Sequence, residues 1–326
     1  VLTLFRRNLL INYFWLLLFA AGCLSYYLIF PSKLTLTPLS LPFEEVFNYK
    51  LPFAHNIYIQ LIYIYLLVCI QSVMASSIVV KNRMSRALSI VPAGIMCLFC
   101  FWCIHKAEQS QILAANVFFI LSVQNLFKLY KAYKPITTTF NAGFFLGISC
   151  LFYNVYIVFL LVLVLGLISL RGLKVKELLQ LIIAFVSPFF LLAVALHHYG
   201  QLDALQSVTD FRIHLPGIEF QSVITTMKVV AILLVILILL LLQQHLLKKK
   251  KFDAIKKIEL NYWFMLFGFL SLFVATNTDL SHMIIISLPV SILAGLYLEE
   301  KQNKVTKEFA FLLLVIIYFA FLYEFI

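Results

Sequence analysis

Charged side chains are scarce in this 326-residue chain: 12% of its residues are Asp, Glu, Lys or Arg against 63% apolar, at a mean hydropathy of +1.01. That scarcity excludes a soluble domain built round one core, because too little polar surface remains to face water. Glycine is sparse too, with 10 residues. There is no glycine-rich phosphate loop, and the short basic loops leave no room for a nucleotide-binding fold, which argues against ATP coupling within the chain. Charges inside the apolar runs, the mark of a secondary transporter, are almost limited to Lys228 and terminal-turn residues such as Glu308 and Glu324. A disulfide framework is also missing. The six cysteines, Cys23, Cys69, Cys97, Cys100, Cys103 and Cys150, all fall in apolar segments, where a thiol packs as a small soft side chain. Cys97, Cys100 and Cys103 recur every third residue but lack the loop setting and further ligands of an iron–sulfur or zinc site.

What the sequence has in abundance is continuous apolar runs, without the alternation of barrel strands. A helix needs about 20 apolar residues to cross roughly 30 Å of hydrocarbon, and only helices or closed barrels satisfy their backbone there. The chain is therefore expected to be an all-α polytopic membrane protein forming a single transmembrane domain over residues 1–326. Eleven spans are expected near Ile11 to Phe30, Ile57 to Val80, Ala87 to Ile104, Ser110 to Phe127, Thr137 to Leu151, Asn154 to Leu170, Leu178 to Leu196, Val223 to Leu246, Asn261 to Ala275, His282 to Leu298 and Phe309 to Phe325. The first span lacks a small-residue cleavage site after it and is expected to be retained.

The run from Thr137 to Leu170 would be roughly 51 Å long as one helix, far more than a bilayer needs. Charge favours a turn at Phe152-Tyr153-Asn154, because splitting there returns Arg171, Lys174 and Lys176 to the side that holds Lys81, Arg83 and Arg86, and Lys128, Lys131 and Lys134. All but Lys33, Lys50, Lys106, Arg212 and Lys228 of the 25 lysines and arginines then share one side. By the positive-inside rule that side is cytoplasmic, with the N-terminus inside and the C-terminus outside. The net charge of +11 then reads as topology and contact with anionic lipid, including Lys248 to Lys251, and not as a nucleic-acid surface. Membrane lipid is the expected partner; the sequence names no protein partner.

Candidate chemistry lies on the other side. The first outer loop, residues 31–56, carries adjacent carboxylates, Glu44 and Glu45, which serve as interfacial general base or metal ligand, or as a solvated turn. The second, residues 197–222, offers His197, His198, Asp203, Asp210, Arg212, His214 and Glu219. These types could assemble a metal site, yet the two adjacent histidines point apart on a helix and no His-x-x-x-His spacing occurs, so no metal ligand is assigned. The sequence identifies no cofactor, with a divalent metal as one candidate. Thr276-Asn277-Thr278-Asp279-Leu280-Ser281-His282 is an outward polar turn that either completes a pocket or caps the next helix. Glu108 lies at another outer connection, as a pocket residue or a helix N-terminal charge.

This layout resembles the polyprenyl-phosphate-dependent glycosyltransferases of the C fold. The first span leads to an outer loop with acids, here Glu44 and Glu45, where that family keeps its catalytic carboxylate. Glu108 stands at a second acidic position. Asn141-Ala142-Gly143-Phe144-Phe145-Leu146-Gly147-Ile148-Ser149-Cys150 looks like the family's small-residue helix, followed by an apolar helix, a basic loop and a helix with Ser187-Pro188. Ser281-His282-Met283-Ile284-Ile285-Ile286-Ser287-Leu288-Pro289 is similar to its late helix, with a basic residue at the site and a proline within the span. The resemblance covers roughly residues 1 to 300. It implies a lipid-linked sugar as substrate at the outer face, Glu44 or Glu45 as catalytic base, and Glu108, Arg212, Asp279 and His282 as substrate-binding residues. The chain departs from the family in having a Glu-Glu pair where aspartate is usual and in lacking extra spans and an outer domain. It also resembles multi-span membrane proteins of Bacteroidota, and a bacterial inner (cytoplasmic) membrane is the expected location. The alternative expectation is a non-catalytic multi-span subunit of an export or envelope-assembly complex.

Overall fold

A computed structural model describes residues 10–29, 56–85, 89–104, 109–133, 135–201, 223–247, 250–275, 279–300 and 304–322. These residues form helices and turns, with no strand among them. In chain order the α-helices are α1 Leu10–Ile29, α2 Ile57–Lys81, α3 Val91–Cys103, α4 Gln109–Lys128, α5 Ile136–Phe152, α6 Phe159–Arg171, α7 Val175–His198, α8 Val223–Leu241, the single turn α9 Gln243–Leu247, α10 Phe252–Leu270, α11 Ser287–Glu300 and α12 Lys304–Leu322. Three 3-10 segments interrupt them at Asn154–Val158, Ser271–Phe273 and Leu280–Ile286.

The expectation of eleven spans is not met. Among the described residues five helices are long and apolar enough to cross a membrane: Ile57–Lys81, Ser110–Lys128, Asn154–Arg171, Val175–His198 and Leu280–Glu299. Ile11–Ser25, Val91–Cys103, Ile136–Phe152 and Thr226–Leu241 are apolar but shorter. The reason is that an apolar run is not a helix of the same length. The run from Ala87 yields only the 13 residues of α3, about 20 Å of helix. The run from Asn261 belongs to α10, whose first turns carry Asp253, Lys256, Lys257 and Glu259. The placement of the C-terminus outside, opposite a cytoplasmic N-terminus, was counted over eleven spans and loses that count.

The chain does break where the long central run was expected to break. α5 ends at Phe152, Tyr153 takes an extended conformation (φ −149°, ψ 105°), and a 3-10 turn leads into α6. Phe119 of α4 fixes that break. It stacks on Phe159 with 4.5 Å between ring centroids and packs against Tyr156 and Phe264.

The outside of the bundle is apolar. α7 exposes Leu179, Ile183, Val186, Phe190, Leu191 and Val194, and only 22% of its most apolar stretch is buried, against 89% for Leu280–Glu299. A face of that kind is stable against hydrocarbon, not against water. The inner face of α7 meets α5 at two glycines. A Cβ on Gly143 would lie 2.4 Å from the Leu181 carbonyl oxygen, and one on Gly147 would lie 2.4 Å from that of Phe185 and 2.9 Å from the Pro188 ring. Small residues four apart thus let two backbones approach closely. Pro188 sits inside α7 and removes the bond to the Ala184 carbonyl; the Ser187 hydroxyl donates to that carbonyl instead, at 2.7 Å.

Side-chain contacts define the two ends of the bundle. At one end the basic residues clasp carbonyls. Arg171 donates to Leu129 and Ala132, Lys250 to Met84, Lys256 to Ser169 and Lys307 to Glu299. The same arginine forms a two-pronged ion pair with Glu177, at 2.8 and 3.0 Å, with both side chains 11% exposed. At the opposite end Tyr27 donates to the Ile104 carbonyl, Lys228 lies close enough to Cys103 to act on it electrostatically, and Tyr153 meets His282.

Candidate functional site

Four of the six candidate residues, Glu44, Glu45, Glu108 and Arg212, lie outside the described residues. Asp279 and His282 lie within them, at the end opposite the basic one. Asp279 is half-buried and precedes the 3-10 segment Leu280–Ile286, its carbonyl accepting from the His282 backbone N–H at 3.0 Å. His282 is buried. Its Nδ1 is 3.0 Å from the Tyr153 hydroxyl and its Nε2 2.9 Å from the Ser271 hydroxyl. One residue from each helix break is thus tied into a single unit: Tyr153 beside Asn154–Val158, Ser271 of Ser271–Phe273, and His282 of Leu280–Ile286. Both ring nitrogens are engaged by hydroxyls, so the ring links these segments.

Sequence reasoning overlooked a second polar cluster beside the first. Asn116 of α4 is fully buried. Its amide nitrogen donates to the Gln71 Oε1 of α2 at 2.8 Å and lies 3.0 Å from the Ser287 hydroxyl of α11. Its Oδ1 accepts from the Tyr156 hydroxyl at 3.2 Å. Gln71 in turn donates to the Leu113 carbonyl at 2.8 Å, and Ser149 of α5 donates to that of Ala115 at 2.8 Å. An amide buried among apolar helices is costly unless its donors and acceptors are met. Here four elements supply the partners. The signal available in the sequence was single amides, Gln71 and Asn116, within otherwise apolar runs.

The six cysteines are free and buried, as packing residues should be. Among the described residues no group of three or more His, Cys, Asp or Glu is placed to hold a metal ion.

The arrangement defines a class. An apolar exterior, helices of membrane-spanning length, satisfied polar clusters inside and cations gathered at one end make this a multi-pass, all-α integral membrane protein. Comparison with protein-family models, with curated proteins and with solved structures finds no match.

Proposed function

We propose that the chain is a C-fold-like glycosyltransferase of a bacterial inner membrane that uses a polyprenyl-phosphate-linked sugar at the end opposite the basic one. The observation that carries this reading is the convergence of three helix breaks on Tyr153, Ser271 and His282. Irregular backbone at membrane depth is tolerated where protein encloses it or where it borders a site. Along the chain, Ile29 and Asn56 bound the segment that carries Glu44 and Glu45, Ile104 precedes the one with Glu108, and Gln201 and Val223 bound the one with Arg212. In this reading Glu44 or Glu45 takes the proton from an acceptor hydroxyl as it attacks the anomeric carbon, and Arg212 takes up the charge of the departing lipid phosphate. His282, held between two hydroxyls, is a positioning residue for the breaks.

The second reading, a non-catalytic subunit of an export or envelope-assembly complex, is favoured by the closure of His282 on neutral partners. Purified protein supplied with polyprenyl-phosphate sugars separates the two. Consumption of the lipid-linked sugar by the wild type, and its loss in Glu44→Gln or Glu45→Gln with unchanged thermal unfolding, supports the enzyme. Equal turnover in wild type and both variants sinks the carboxylate assignment, and no turnover by the wild type with any such donor favours the subunit.

A further inference from the structure

At the basic end α2, α4 and α10 enclose a cavity of about 250 Å³, lined by Ile78, Lys81, Asn82, Gln124, Phe127, Lys128, Tyr130 and Lys257. Lys81 and Lys128 are exposed, whereas Lys257 is 7% exposed. A buried ammonium needs acceptors or an opposite charge. Lys257 has one neutral acceptor, the Asn82 Oδ1 at 2.7 Å, whose orientation is set by the Asn82 amide nitrogen donating to the Ile78 carbonyl at 2.8 Å. The Tyr130 ring also lies near it, 5.7 Å from Nζ. An ammonium has three N–H donors, so donors are left over beside the cavity. Among the described residues Asp253 is an acid that acts electrostatically on both Tyr130 and Lys257, and Lys131 Nζ lies 5.2 Å from the centre of the same ring. Three lysines, Lys81, Lys128 and Lys257, thus line the cavity, and no carboxylate is among its lining residues. Burial pulls Lys257 below its usual 10.5, as expected of a cation short of a counter-charge.

We infer that this cavity binds a phosphate group, carried by a membrane lipid headgroup or free in solution, with Lys257 at its floor and Lys81 and Lys128 at its mouth. The volume is below the roughly 300–1,000 Å³ of sites that enclose a drug-sized ligand, so a phosphate fits while any glycerol and acyl chains stay outside. Three ammonium groups supply charge-assisted hydrogen bonds to phosphate oxygens. The inference stands apart from the glycosyltransferase reading, which concerns the other end of the bundle.

The test uses the full chain in nanodiscs of phosphatidylcholine, with phosphatidic acid added and its retention counted by native mass spectrometry. Inorganic phosphate is titrated in parallel by equilibrium dialysis. Lys257→Gln and Lys128→Gln should each weaken binding roughly tenfold or more, Lys257→Arg should keep most of it, and Lys176→Gln, an exposed basic residue of the same end outside the cavity, should change nothing. Binding of phosphatidic acid alone assigns the site to a headgroup, and Lys257-dependent binding of inorganic phosphate assigns it to free phosphate. If Lys257→Gln fails to fold, the two exposed lysines at the mouth give the same readout. Unchanged retention of both ligands in Lys81→Gln and Lys128→Gln overturns the proposal, as does an equal loss in Lys176→Gln.

Discussion

Replacing glycine by alanine in this protein should move stability in opposite directions at different positions, and the sign at each follows from the space around it. At Gly147 the added Cβ would meet the Phe185 carbonyl oxygen at 2.4 Å and the Pro188 ring at 2.9 Å, where ordinary contact begins at 3.4 Å. The obstacle is helix backbone, which cannot rotate away, so α5 must shift off α7 by about 1 Å. Overpacking of that kind costs about 1–3 kcal/mol. Alanine's greater helix preference returns about 1 kcal/mol, so Gly147→Ala should lose up to about 2 kcal/mol. Gly143→Ala, with the Leu181 carbonyl oxygen at 2.4 Å, should behave alike, and the double variant should lose more than either. Among the described residues no heavy atom lies within 4 Å of a Cβ added at Gly22 of α1, so Gly22→Ala keeps the helix gain without a clash. The assay is thermal unfolding of purified protein in one detergent, followed by circular dichroism. Midpoints of Gly147→Ala and Gly143→Ala at or above that of wild type would refute the close approach of α5 and α7.

Two further substitutions probe the polar contacts. Arg171→Met leaves the Glu177 carboxylate, 11% exposed, with only the longer 3.8 Å ion pair to Lys174 among the described residues; a loss of about 3–5 kcal/mol is expected, with the Arg171→Met, Glu177→Met double variant closer to wild type. A single variant as stable as wild type in denaturant titration would show that the pair is not holding the loop. Asn116→Ala removes contacts to Gln71, Ser287 and Tyr156; at about 0.6 kcal/mol for a polar contact within a membrane protein, the loss should be near 2 kcal/mol. Combination with Tyr156→Phe should then be less than additive, and strict additivity would argue against a shared network.

Some of this architecture was legible in the sequence because it depends on chain-local physics. The break at Phe152 to Asn154 followed from helix length against bilayer thickness, the burial of the cysteines from their apolar surroundings, and the gathering of basic residues from their loops. The number of spans was not legible, because hydropathy reports composition and leaves open where hydrogen-bonded helix begins. The run at His282 begins as 3-10 helix and becomes α-helix only at Ser287, and α3 uses only part of its run. The inner polar clusters were hidden for another reason. Gln71, Asn116, Tyr156 and Ser287 come from four separate elements, one residue each, and no spacing along the chain can show that they meet. His282 was picked out by type, but only the fold shows that its ring is closed between Tyr153 and Ser271.

The carbonyl-clasping cations carry a practical consequence for anyone who tries to turn the protein over in the membrane. Topology is commonly manipulated by moving lysines and arginines from one set of loops to the other. Here Arg171, Lys250, Lys256 and Lys307 each hold a carbonyl oxygen of a neighbouring turn or helix end, so removing them also strips acceptors of their donors. A chain altered at those positions would insert badly and unfold together, and the two effects could not be told apart. Lys176, exposed on the first turn of α7, is the position where charge can be moved and orientation read by itself.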